Sequence, residues 1–145
     1  MVKKKKKPKY NQNSQIRSAI RRTFSRSPKV KEVIDSVRSE HDQYNKDGSL
    51  SKRKAVRYKC AHCGRLFMRK DIAVDHINPV IPLDSKFTSW DDFVDRLFCE
   101  KSNLQVLCSY TLKRKSEFDN ENSCHYKKTQ EEKAERKKNE KMLKV

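Results

Sequence analysis

The sequence predicts a small α+β domain that a bound metal ion helps to hold together. Hydrophobic residues recur at helical spacing in residues 14–40 and 88–98, whereas residues 56–67, 72–77 and 103–108 form short apolar runs typical of strands. Only 34% of the 145 residues are hydrophobic and 38% are charged, so the core must be small. A small core usually requires a disulfide or a structural metal. The length favours one domain with tails.

Residues 1–55 are predicted to form a basic N-terminal arm with two short helices and a linker. A lysine run and a polar stretch fill residues 1–13, which we expect to be disordered. Ser27-Pro28 is typical of a helix start and separates the two helical patterns. The helices either pack on the core or lie along DNA, and residues 41–55 are interpreted as a linker. Their apolar positions are Ile16, Ala19, Ile20, Phe24, Val30, Val33, Ile34 and Val37.

The positive charge is concentrated near the N-terminus. Residues 1–59 hold 19 Lys and Arg against 5 Asp and Glu, whereas residues 60–145 hold 17 against 14. A polyanion such as DNA is the natural partner of this arm, and a solvated tail is the alternative. A membrane surface is disfavoured because no Trp or apolar face accompanies the lysines. The candidate DNA-binding residues in the arm are Lys3, Lys4, Lys5, Lys6, Lys7, Arg17, Arg21 and Arg22.

The central part of the chain is predicted to contain a hairpin, two strands and a helix. The hairpin covers residues 56–67, and the strand-like run 72–77 ends at Asn78-Pro79. Ser89 is the predicted N-cap of a helix that ends near Phe98. We expect its apolar stripe to be core: Trp90, Phe93, Val94, Leu97 and Phe98.

The chain from Cys124 onwards is predicted to be a charged helix, of which residues 131–145 form a tail. Its favourable pairs four residues apart are Glu132 with Arg136 and Glu140 with Lys144. Few apolar residues are available to anchor this helix, so we expect its end to fray.

The five cysteines suggest a zinc site. Cys60 and Cys63 form a CxxC motif followed by Gly64, and CxxC supplies two zinc ligands from one tight turn. Cys108 and Cys124 are candidates for the other two, and Cys99 competes with them, although it closes an apolar helix stripe. No signal for export or membrane insertion is present, which favours a cytoplasmic location. In that compartment the cysteines are better explained by a metal site than by disulfides. The alternative is an accidental CxxC with five reduced thiols.

The Asp75-His76 pair offers two functions that phosphodiester hydrolysis needs. A carboxylate suits a hard cation such as Mg²⁺, and an imidazole with a near-neutral pKa can take a proton from water. A lone Asp-His pair is usually structural, so its interpretation depends on the surrounding motifs.

Four motifs in order resemble the HNH endonuclease family, and most closely its small phage-encoded members. They are Cys60-x-x-Cys63-Gly64, Val74-Asp75-His76-Ile77, Asn103-Leu-Gln-Val-Leu-Cys108 and Cys124-His125-x-x-Lys128-Thr129. The resemblance covers residues 56–130, and the ordered set is more specific than any one motif.

This resemblance implies a ββα-metal fold with a zinc knuckle, and it implies roles for individual residues. His76 is similar to the general base, and Asp75 and His125 to the ligands of a catalytic divalent ion (Mg²⁺, Mn²⁺ or Ni²⁺). Asn103 resembles the asparagine that holds the active-site loop. The implied zinc ligands are Cys60, Cys63, Cys108 and Cys124. Lys128 is expected near a phosphate of the DNA.

The chain departs from the family between Cys108 and Cys124, where residues 109–123 replace a much shorter spacing. This segment either loops out and leaves the two cysteines close, which we favour, or displaces the final helix.

The leading interpretation is a metal-dependent DNA endonuclease in the cytoplasm of a host cell. A non-catalytic zinc-ribbon DNA-binding protein also explains the cysteines and the basic arm. An RNA-binding module explains the charge alone. Nothing in the sequence indicates the oligomeric state.

Overall fold

A computed structural model describes residues 6–109 and 123–144 of the chain. Its class is α+β, as predicted, with four α-helices and two small antiparallel sheets in these ranges. The elements are α1 (Gln12–Ser25), α2 (Pro28–Ser36), β1 (Arg38–His41), β2 (Ala55–Lys59), β3 (Leu66–Phe67), β4 (Ile72–His76), α3 (Trp90–Leu97), β5 (Leu104–Cys108) and α4 (Cys124–Leu143). Among these described residues, no helix is both long and apolar enough to cross a bilayer.

The two N-terminal helices pack on the core of the protein. Helix α1 begins where the Asn11 side chain accepts a hydrogen bond from the Ser14 backbone N–H at 3.0 Å. Helix α2 begins with Pro28 in its first turn, as the Ser27-Pro28 pair predicts. The sequence allows these helices either to pack on the core or to lie along DNA, and in the structure they pack on the core. The buried cluster combines Phe24, Val30, Val33 and Ile34 with Phe67, Ile72, Phe93, Leu97, Leu104, Val106 and Leu107. The predicted boundary at residue 55 therefore does not coincide with a break in packing.

Strand β1, over residues 38–41, is not predicted by the sequence, whereas the predicted linker 41–55 connects β1 to β2 and overlaps the strands only at its two end residues. This strand pairs with β2 in antiparallel register, from Arg38 opposite Tyr58 to His41 opposite Ala55. The loop between them closes with a bridge between Tyr44 and Leu50. The sequence of β1 is polar, so its strand conformation depends on pairing with β2 and not on a hydrophobic pattern.

The predicted hairpin and strands are present. Strand β2 pairs with β3, and β4 pairs with β5 in antiparallel register from Ile72 opposite Cys108 to His76 opposite Leu104. Helix α3 lies between β4 and β5 in the chain, and the Ser89 side chain caps it by accepting from the Asp92 N–H. The stripe of α3 is only partly core, since Phe93 and Leu97 are buried but Val94 and Phe98 are 36% and 38% exposed.

Helix α4 is anchored through polar side chains along its second half. The Arg136 guanidinium donates hydrogen bonds to the backbone oxygens of Ile81 and Pro82, and Asn139 donates to the Leu83 oxygen at 3.1 Å. The predicted pair of Glu132 with Arg136 is wrong. Glu132 instead pairs with Lys128, one turn earlier in the helix. Helix α4 extends to Leu143, and these polar contacts hold it in place although it has no apolar face.

Candidate functional site

Four cysteine side chains meet at one point of the fold. Their Sγ atoms all lie within 4.8 Å of one another, and three of the four residues are buried. They come from the β2–β3 turn, the end of β5 and the first residue of α4: Cys60, Cys63, Cys108 and Cys124. Tetrahedral zinc with Zn–S bonds of about 2.3 Å requires sulfurs about 3.8 Å apart, and separations below 4.8 Å are compatible with such a site.

Cys99 does not belong to this group. It is half-buried and packs against the hydrophobic core, as expected for a free cysteine that closes an apolar helix stripe. The exposed His62 lies between the two CxxC cysteines but is not part of the ligand group either.

The CxxC turn is shaped by backbone hydrogen bonds and by one glycine. Gly64 has a φ of +72°, a region that residues with a Cβ rarely adopt. Its N–H donates to the Cys60 oxygen at 3.0 Å, while the Cys60 N–H donates to the Arg65 oxygen at 2.9 Å. The Ala61 N–H donates to the Val106 oxygen at 2.8 Å and attaches the turn to β5. These bonds direct the Cys60 thiol towards Cys108.

The thiols of this group differ in acidity. Burial acts to raise the pKa of Cys60, but hydrogen bonds from the backbone N–H groups of Cys63, Cys108 and His62 outweigh it and lower the pKa to about 7. Burial raises the pKa of Cys108 and of Cys124 above the ordinary value of a thiol. Without a metal, Cys60 is therefore the group's readiest thiolate, and a cation would favour loss of the other protons.

The segment between Cys108 and Cys124 leaves these two residues in contact. The Cys124 N–H donates to the Cys108 Sγ at 3.2 Å. The Ser123 side chain caps α4 by accepting from the Tyr126 N–H at 3.3 Å. The expectation that the two cysteines stay close is confirmed, while residues 110–122 themselves, with Lys113 to Lys115, lie outside the described residues.

A cleft of about 180 Å³ lies between the end of β4 and helix α4. It brings together three residues that the sequence predicts to share a site: Asp75, His76 and His125. Arg21 from α1 and Glu132 from α4 also line it, together with Val74, Pro79 and Val80. Because His125 directly follows Cys124, the cysteine group and the cleft share the first turn of α4.

The His76 ring is oriented by two contacts. Its Nε2 lies 2.8 Å from the backbone oxygen of Leu97, and its centroid lies 5.1 Å from that of Phe24. A carbonyl oxygen can only accept, so Nε2 carries the proton in this hydrogen bond. In neutral His76 the lone pair is then on Nδ1, where it can accept a proton.

Asp75 is held by two donors on neighbouring elements. The Gln105 side-chain amide donates to Asp75 Oδ2 at 3.0 Å, and the Lys128 ammonium lies 2.9 Å from the same oxygen. Lys128 also donates to the His76 backbone oxygen and to Glu132. Burial acts to lower the pKa of Lys128, but these two carboxylates outweigh it and raise the pKa. The three donors of the Lys128 ammonium therefore all have partners within the protein. The predicted contact of Lys128 with a phosphate stays a prediction.

Asn103 fastens the loop that follows β4. Its Oδ1 accepts from the Asn78 N–H at 2.8 Å, and its Nδ2 donates to the Asn78 oxygen at 3.3 Å. Its backbone oxygen accepts from the Ile77 N–H at 2.8 Å. Asn103 thus holds the chain just beyond Asp75 and His76 without lining the cleft.

The cleft itself offers few ligands to a metal ion. Within residues 6–109 and 123–144, the cysteine set is the single group of three or more Cys, His, Asp or Glu side chains with ligand atoms within 4.8 Å. Asp75 and His125 therefore provide at most two protein ligands between them.

The basic candidates of the N-terminal region occupy different positions. Lys6, Lys7 and Arg22 are exposed, whereas Lys3 to Lys5 lie outside the described residues. The guanidinium of Arg17 lies 5.6 Å from the Phe87 ring centroid, and that of Arg21 lies 5.4 Å from the Phe93 centroid. The sequence gives no local signal that Arg21 or Glu132 would reach the cleft, because each gets there through tertiary packing.

Comparisons of the chain with family models, curated proteins and solved structures find no match.

Proposed function

We propose that this chain is a metal-dependent DNA endonuclease of the HNH type. The observation that supports it best is the cleft that Asp75, His76 and His125 line together, beside a group of four cysteines. His125 is distant in sequence from Asp75 and His76, and a nuclease of this type would need all three at one place.

His76 would act as the general base. Its Nε2–H is held by the Leu97 oxygen, so the Nδ1 lone pair is available to take a proton from the attacking water. Asn103 would keep the loop after β4 in place and so fix the direction of the His76 ring.

Asp75 and His125 would hold the catalytic divalent ion, either Mg²⁺, Mn²⁺ or Ni²⁺. When bound, such an ion neutralises charge on the phosphate and on the leaving oxygen. Lys128 would fix the position of the Asp75 carboxylate for this task, because its ammonium lies 2.9 Å from Oδ2.

The cysteine group would hold a structural zinc ion. It joins the β2–β3 turn, the end of β5 and the start of α4, which are far apart in sequence. Zinc bound to Cys124 would fix the first turn of α4, and with it the position of His125. The metal would therefore support both the small core and the geometry of the cleft.

A non-catalytic zinc-dependent DNA-binding protein is the second candidate. One observation favours it, since Asp75 Oδ2 already has Gln105 and Lys128 as partners and could be a purely structural carboxylate. Both proteins would use the same basic N-terminal region to approach DNA, so binding alone does not separate them.

Incubation of supercoiled plasmid with the full-length, zinc-loaded protein separates the two functions. The nuclease should convert the plasmid to nicked or linear forms when Mg²⁺, Mn²⁺ or Ni²⁺ is added, and EDTA should stop the conversion. Asp75→Asn should reduce the rate in the same buffers, because it removes the charge that attracts the ion. Retarded but intact plasmid at every metal concentration would support the DNA-binding protein instead.

A further inference from the structure

We propose that Arg21 binds the phosphate on which the cleft acts, so that helix α1 forms part of the substrate site. This inference rests on the proposed nuclease function and adds a specific substrate contact to it. It gives Arg21 a role that differs from the general attraction of DNA by the lysine run.

Helix α1 holds Arg21 against the cleft through its apolar face. Phe24 is 6% exposed, and its ring lies 5.1 Å from the His76 ring and 5.3 Å from the Phe98 ring between centroids. Residues three apart lie on the same side of a helix, so Arg21 faces the same region as Phe24. The Arg21 guanidinium then lies 5.4 Å from the Phe93 centroid, where cation–π attraction supports it.

The charge of Arg21 is not neutralised locally. Within residues 6–109 and 123–144, the ion pairs of the cleft join Lys128 to Asp75 and Glu132, and none involves Arg21. Its charged neighbours include Arg17 and Arg136, and together with burial they lower the pKa of Arg21 from its usual value. An arginine still remains protonated at neutral pH. Bringing a phosphate into the cleft would therefore relieve repulsion among three cations.

Arg21 is also the cation whose chemistry fits a phosphate best at this place. Its planar guanidinium can donate two parallel hydrogen bonds to phosphate oxygens. Lys128, the other cation near the cleft, has already used its donors on Asp75, Glu132 and the His76 oxygen. Arg26, at the C-cap of the same helix, is exposed as Arg21 is but does not line the cleft.

Arg26 provides a matched control, because Arg21→Ala and Arg26→Ala remove the same charge from the same helix, and Arg26 is not among the candidate DNA-binding residues. Both full-length variants, and Arg21→Lys, should be compared with wild type after thermal melting and zinc content show that they fold. The first measurement is the single-turnover rate of plasmid cleavage with protein in saturating excess. The second is the salt dependence of affinity for a short DNA duplex in buffer without added divalent ions, which needs no catalysis and leaves bound zinc in place.

We expect Arg21→Ala to lower the saturated cleavage rate by ~10²-fold or more, as loss of a preorganised donor does elsewhere. Arg26→Ala should stay close to wild type, and Arg21→Lys should recover part of the loss. Arg21→Ala should also reduce the slope of log affinity against log salt by roughly 0.9, the value for one phosphate contact, whereas Arg26→Ala should not.

Equal rates and equal salt slopes for Arg21→Ala and Arg26→Ala would overturn the inference. If the wild-type protein cleaves no plasmid, the nuclease proposal fails, but the salt slopes still decide the phosphate contact. A reduced slope for Arg21→Ala alone would support that contact, and equal slopes would refute it.

Discussion

Single residues link the cysteine group to the cleft. Cys124 contributes a thiol to the group, and the next residue, His125, lines the cleft. At the other end of the site, one backbone oxygen of Leu97 sets which nitrogen of His76 carries its proton. A change in the cysteine group should therefore alter the geometry of the cleft, because adjacent residues of α4 belong to the two sites.

The ligand set of the zinc site is tested by two cysteine substitutions. Cys60→Ser should lower zinc affinity by at least about 100-fold, since even weaker outer contacts of metal sites are worth 10–100-fold. It should also lower the melting temperature. Cys99→Ser should keep about one zinc per chain, because Cys99 lies outside the group of four. Metal analysis after dialysis measures both, and zinc loss from Cys99→Ser alone would show that the ligand set is wrong.

Zinc binding should strengthen as the pH rises through neutrality. Zinc binds thiolates, and burial raises the pKa of Cys108 and Cys124, so protons must leave these thiols when zinc enters. Cys60, with a pKa of about 7, adds to the effect below neutral pH. Calorimetric titrations in buffers of different ionisation enthalpy count the protons released. An affinity that is constant between about pH 6 and pH 8 would contradict this assignment.

At the level of elements, polar side chains of α4 anchor this helix through contacts that the sequence does not predict. Helical spacing pairs Arg136 with Glu132, but the guanidinium reaches two carbonyls of the loop that follows β4. Local patterns identify the helix correctly and miss its anchor, because the partner loop is more than 50 residues away. Strand β1 is missed for a similar reason, since its polar residues are ordered by β2.

Loss of the α4 anchor should destabilise the protein measurably. Arg136→Ala removes hydrogen bonds from a charged donor to the oxygens of Ile81 and Pro82 and should cost about 1–2 kcal/mol in the free energy of unfolding. Lys137→Ala, at the adjacent exposed position, should change it little. Urea denaturation of zinc-loaded protein compares the two. Equal midpoints would mean that the loop contacts do not stabilise α4.

At the scale of the whole molecule, the sequence predicts the class, most elements and the four clustered cysteines. The places of the four cysteines in these elements follow from local patterns: CxxC with Gly64, the run before Cys108 and the capped helix at Cys124. The meeting of Asp75, His76 and His125 in one cleft agrees with the motif order. The place of α1 beside this cleft could not be predicted, because its pattern of apolar residues does not say which surface it covers.

The lysine run should contribute to DNA affinity without taking part in cleavage. Residues 1–9 contain six lysines and no acidic residue, and their removal leaves the Asn11 cap of α1 intact. Deleting them should weaken binding at low salt and flatten the salt slope by about 0.9 for each lost phosphate contact. Cleavage at high protein concentration should persist. Superimposable affinity curves for the two proteins would show that the lysine run is only a solubilising tail.

The most direct measurement of the central claim is the Mg²⁺-dependent cleavage rate of His76→Ala beside that of His41→Ala. His41 is exposed on β1, where it hydrogen-bonds to Ser39, and it lies outside the cleft. We expect a loss of ~10²–10⁴-fold for His76→Ala, because a general base contributes that much, with zinc content and DNA affinity retained. His41→Ala should cleave at the wild-type rate. A wild-type rate from folded His76→Ala would show that His76 is not the general base.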